Sequence, residues 1–277
     1  MLQYGLLWSD VSRTLGQGVE HWGVPGSSPE IWEQSQLQRP TSNLAIVGIS
    51  IIDLNEERRV DARAGIVPLS RTIADLRESG TSLAESKRIL SQYPLEYLQT
   101  AFPTAGDPDA VLVGMRRILR EMLGLSSVAE DRDRALVLPS GSALDFGKDS
   151  AKVSSWPKDR VLRRLDTARA ADRGIYSFSG VKELVFRRML SRARRQGRAI
   201  VVVLPVSSPY LNDLPPNAVK DFNASVEETS RQFPDVEFIR FDLEPSLKSD
   251  DYFSDFFHMN EFGRAIATKL FLERLTS

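Results

Sequence analysis

Short apolar runs alternating with helical patterns constrain this chain more than any other feature. Leu2–Trp8, Leu44–Gly48, Ala199–Leu204 and Val236–Leu243 have the length and composition of buried strands. Between and after them lie segments with helical periodicity: Glu30–Gln38, Ser70–Glu78, Ser82–Leu90, Ala110–Leu123, Lys158–Ala171, Val181–Gln196 and Glu261–Leu275. Ser28 suits an N-cap and Pro29 the first turn of the Glu30 helix. Strands separated by helices predict a parallel sheet covered on both faces, an α/β fold. The spacing is uneven. Roughly 150 residues separate the Leu44 run from the Ala199 run, far more than one crossover helix needs. The chain reads as one domain over 1–277, with residues 56–196 a mostly helical insertion plus a core helix. Within it, Ser126–Pro157 is an irregular loop rich in Ser, Asp, Gly and Pro.

Composition removes several chemistries. The chain has no cysteine, which excludes thiolate nucleophiles, disulfides and Cys-based metal sites. It has two histidines, His21 and His258, so a three-histidine metal site is impossible and no metal is expected. Walker A, G-x-S-x-G and H-E-x-x-H motifs are absent, and Gly16-Gln17-Gly18 does not extend into a dinucleotide fingerprint; no cofactor is expected. Thirty-six Lys and Arg balance 37 Asp and Glu, unlike a chain that coats nucleic acid. The arginines of Val185–Arg198 therefore read as a solvated helix face rather than a polyanion patch. The most continuous apolar run, Ala199–Val206, is well short of the roughly 18 residues of a membrane span. Met1–Gly5 lacks the basic start of a signal peptide, and an upstream anchor stays open, as do compartment and oligomeric state.

The residues with catalytic potential are few. Asp255 stands three residues before His258, just ahead of the last helix. A carboxylate so placed can orient an imidazole that acts as general base; the same Asp can equally serve as a cap. A nucleophile would have to be a hydroxyl. Ser9 and Ser12 follow the first run and Ser50 follows the second, where reactive groups of an open parallel sheet gather. Gly26 and Gly48 permit close approach of backbone N–H groups to an oxyanion. Trp22 and Tyr210 are candidates for lining a substrate subsite, against the alternative of core and turn roles.

Four segments, taken in order, resemble the SGNH/GDSL hydrolase superfamily: Trp8-Ser9-Asp10-Val11-Ser12-Arg13-Thr14, Gly23-Val24-Pro25-Gly26-Ser27-Ser28-Pro29, Val47-Gly48-Ile49-Ser50 and Asp255-Phe256-Phe257-His258. The resemblance implies a flavodoxin-like three-layer α/β/α sandwich with about five parallel strands. It implies Ser12 as nucleophile, His258 as base, Asp255 as orienting acid, and Gly26 and Ser50 as oxyanion-hole positions. Asp10 stands where the family has glycine, and Ser50 where it has asparagine. The implied activity is hydrolysis of a small-molecule or carbohydrate ester. The alternatives are O-acyl transfer to a glycan by the same triad, or a weak or inactive binding protein.

Overall fold

The computed structural model describes residues 6–16, 28–38, 43–58, 67–83, 86–87, 89–90, 150–172 and 174–276. Its centre is a parallel sheet of three strands among the described residues, β1 (Leu44–Ile49), β2 (Arg198–Val203) and β3 (Glu237–Arg240), in the order β1-β2-β3. The register sets Leu44 opposite Arg198, Ile49 opposite Val203, and Ile200 opposite Glu237. β2 is the middle strand, and Ala199 through Val203 are all buried. Its β-branched side chains have neighbours on both faces, the environment in which such residues favour strand.

Eight helices accompany the sheet among the described residues: α1 (Trp8–Leu15), α2 (Pro29–Gln38), α3 (Leu69–Glu78), α4 (Lys158–Asp172), α5 (Val181–Gln196), α6 (Ser208–Asp213), α7 (Pro216–Gln232) and α8 (Glu261–Thr276). Five of these match sequence expectations to within two residues at either end: α2, α3, α4, α5 and α8. α5 buries Val181, Val185, Phe186, Met189, Leu190 and Ala193, a stripe at three- and four-residue spacing. It leads straight into β2 through Gly197, where a Cβ would lie 2.4 Å from the carbonyl oxygen of Asn43. The Arg198 N–H donates to that same carbonyl, which aligns the starts of β1 and β2.

The first expected strand falls mostly outside the described residues. Leu2–Trp8 reaches into the described residues only at its end, where Leu6 and Leu7 lead into helix α1. Trp8, Val11 and Leu15 recur at helical spacing, and Trp8 and Val11 are buried. The last expected strand is shorter than its apolar run: β3 ends at Arg240, and Phe241–Leu243 forms a 3-10 turn. The expected helix Ala110–Leu123 lies outside the described residues, as does most of the Ser126–Pro157 loop.

Arg188 of α5 is paired inside the fold, and its neighbours are paired nearer the surface. Arg188 makes a two-pronged contact with Glu33 of α2, at 2.6 Å from both Nε and Nη2, and its Nη1 donates to Asp75 of α3 at 2.8 Å. Arg187 pairs with Glu183, Arg194 with Asp235, and Arg198 with Glu237. Arg188 thus ties α2 and α3 to α5.

Candidate active site

The carboxyl ends of β1 and β2 and the loop before α8 meet in one place. The Leu204 N–H donates to Ile49 O, so the two strands leave the sheet side by side. Three residues beyond Leu204, the Ser207 N–H donates to Phe256 O at 2.9 Å, fastening the Asp255–His258 loop to the exit of β2. That loop is tightly built. An antiparallel bridge joins Phe253 to Met259, and the Ser254 N–H donates to His258 O. Asn260, fully buried, closes its far side. The Asn260 side-chain oxygen accepts from the N–H groups of Phe262 and Gly263, capping α8, while its amide donates to Ala151 O and Asp251 O. Sequence reasoning missed Asn260; an Asn directly before a helical pattern is the signal that identifies it.

Within the loop, Asp255 and His258 form a hydrogen-bonded pair. His258 Nδ1 lies 2.7 Å from Asp255 Oδ2, and Asp255 Oδ1 accepts from the N–H groups of Phe257 (2.8 Å) and His258 (2.9 Å). The carboxylate is an acceptor, so Nδ1 carries the proton and Nε2 is the basic nitrogen of the neutral ring. Burial pushes Asp255 upward. The hydrogen bond and charge of His258, together with the two backbone N–H groups, outweigh burial and hold the carboxyl below its ordinary value. Asp255 is therefore an anion at neutral pH. The His258 side chain keeps a third of its surface exposed.

Ser50 ends β1 at this same edge. It is completely buried, and both its N–H (2.8 Å) and its hydroxyl (2.7 Å) donate to Asp53 Oδ2. Both donors are thus committed to Asp53, which does not suit the oxyanion-donor role the resemblance implied. Ser12 is in the second turn of α1 and is half-buried. α1 docks on the body of α8: the Leu7 N–H donates to Thr268 Oγ1, ten residues beyond His258, and Asp10, Arg13 and Thr14 share a groove with Lys269, Leu272 and Glu273. Tyr210 is also corrected. It is 1% exposed and its hydroxyl donates to Asp172 at 2.7 Å, so it supports the loop from beneath and does not line an open subsite. Ser207 is fully buried, and its hydroxyl has no hydrogen-bond partner among the described residues. Gly26 and Trp22 lie outside the described residues.

The chain matches no family model and no curated protein. The chemistry of the edge therefore rests on its own geometry. An imidazole oriented by an anionic carboxylate is a group suited to proton transfer. No group of three or more His, Asp or Glu side chains suited to a metal ion occurs among the described residues. No helix among them is long and apolar enough to cross a membrane.

Proposed function

We propose that this protein is a serine-dependent ester hydrolase whose active site is the carboxyl edge of the sheet, acting on a small-molecule or carbohydrate ester. The Asp255–His258 pair, held on a pinned loop at that edge, carries the reading. His258 is the general base and Asp255 its orienting acid. Ser50 takes the place of Ser12 as nucleophile, because it is the serine at the end of a strand whose neighbour holds the His258 loop. The proposal includes the fuller architecture implied by the SGNH resemblance, a three-layer sandwich with about five parallel strands.

In the reaction, the Ser50 hydroxyl turns from Asp53 towards His258 and attacks the ester carbonyl while Nε2 takes its proton. The tetrahedral oxyanion collapses, the ester C–O bond breaks, and the imidazolium protonates the departing alcohol. Water, deprotonated by His258, then attacks the acyl-serine and releases the acid and the free hydroxyl. The Gly26 N–H serves as an oxyanion donor in this scheme. A sugar hydroxyl in place of water makes the same site an O-acyltransferase.

A non-catalytic binding protein is the second reading, and one observation favours it: Ser50 is buried with its hydroxyl given to Asp53. Hydrolysis of p-nitrophenyl acetate separates the readings. The hydrolase reading expects turnover by the wild type, loss in Ser50→Ala and His258→Ala, and retention in Ser12→Ala. Turnover that survives His258→Ala refutes it, and loss in Ser12→Ala alone returns the nucleophile to α1.

A further inference from the structure

Asp172, the last residue of α4, has a completely buried side chain. Its Oδ2 accepts from the hydroxyls of Tyr210 (2.7 Å) and Tyr176 (3.0 Å), and its Oδ1 accepts from Nη1 of Arg58 (3.0 Å). The two tyrosine oxygens lie 3.3 Å apart. Burial, reinforced by the neighbouring carboxylate, pushes Tyr176 up to about 12 and raises Tyr210 as well. Both hydroxyls thus keep their protons and remain donors at neutral pH.

Two of these three donors grip the same ring. The Arg58 guanidinium lies 5.2 Å from the centroid of Phe257, and Tyr210 meets Phe257 edge-on at 4.8 Å. Arg58 is itself fixed: the ammonium of buried Lys182 donates to its carbonyl oxygen and to that of Asn55. Phe257 directly precedes His258, and its N–H donates to Asp255. The peptide that aims the imidazole is therefore held by Asp255 on its polar side and, through its ring, by two side chains anchored on one carboxylate.

We infer that Asp172 is a positioning residue: through Tyr210 and Arg58 it fixes the Phe257 ring and thereby the direction of the His258 imidazole. A buried, fully hydrogen-bonded carboxylate specifies orientation more readily than it adds stability. The consequence for turnover rests on the hydrolase reading above; the consequence for the ring does not.

Because the chain has two histidines, the His258 ring proton can be followed by NMR and assigned with His21→Gln. Tyr210→Phe keeps the ring and removes one donor to Asp172; Asp172→Asn weakens all three contacts. The expected result is a shifted, broadened or split His258 resonance in both variants. Hydrolysis of p-nitrophenyl acetate falls on the order of tenfold to a hundredfold in kcat with KM unchanged. Should Asp172→Asn fail to fold, Tyr210→Phe decides alone. A folded Tyr210→Phe variant with an unaltered His258 resonance overturns the inference, whether or not the protein hydrolyses esters. A changed resonance in a protein whose wild type shows no His258-dependent turnover sustains the inference and removes the hydrolase reading.

Discussion

Arg188→Ala tests how the helices are held to the core. Arg188 gives Glu33 two hydrogen bonds of 2.6 Å and reaches Asp75 at 2.8 Å, and those two carboxylates are 1% and 2% exposed. Truncation strands both in a desolvated site. Removing one partner of a buried charge pair costs about 3–5 kcal/mol. Arg71 stays within 3.3 Å of Asp75 and 3.6 Å of Glu33, and Arg192 within 3.6 Å of Glu33, so about 3 kcal/mol is the expected loss here. The penalty also depends on pH. Burial holds Asp75 above its ordinary value even though Arg188 and Arg71 oppose that shift, and Glu33 adds to it. A carboxyl raised in the folded state binds its proton more readily there than in the unfolded chain, so its contribution favours folding at low pH and is lost as pH rises through the folded value. Without Arg188 the carboxyl rises further. Urea unfolding should therefore show the loss in full near neutral pH and a smaller loss towards mild acid. A penalty below about 1 kcal/mol, the worth of an exposed pair, or one that grows towards acid, refutes this account of the cluster.

Other outcomes follow from the same reasoning. Asp255 is held below its ordinary 3.8, so the stability it supplies is complete above that value and is lost as pH falls through the lower folded one. Asp255→Asn should flatten the acid side of a melting-temperature profile, and an unchanged acid limb would contradict the pairing. Gly263→Ala sets a Cβ 2.4 Å from Tyr252 O, and the forced shift should cost about 1–3 kcal/mol in thermal unfolding; an unaltered melting temperature would show the contact to be slack. Lys182→Met takes the donor from the carbonyls of Asn55 and Arg58, with an expected loss of about 2 kcal/mol in urea unfolding. A neutral result there would mean the segment after β1 is held by its other contacts, such as Asn55 to Ile175 and Ser177.

The legible parts of the fold are those written in local pattern. β1, β2 and α5 announce themselves because apolar residues recur at the period of the element over its whole length. The Trp8, Val11, Leu15 spacing is helical, and it marks α1 just where the expected strand Leu2–Trp8 ends. α7 escapes sequence reading because Pro215 and Pro216 look like a break, yet Pro216 occupies the first turn, where proline is tolerated. Ala218, Phe222, Val226 and Thr229 form its buried stripe. The Asp255–His258 contact is legible because it closes within three residues. The choice between Ser12 and Ser50 is not, since both serines are distant in sequence from His258. Asp172 is invisible in the sequence, as its partners Tyr210 and Arg58 lie 38 and 114 residues away.

Covalent labelling tests the central claim most directly. A fluorophosphonate reacts with an activated serine hydroxyl, and peptide mapping by mass spectrometry locates the adduct. The account predicts a single adduct on Ser50 in the wild type, abolished by His258→Ala and retained in Ser12→Ala. An adduct on Ser12, labelling that persists without His258, or a wild type that takes no label contradicts it.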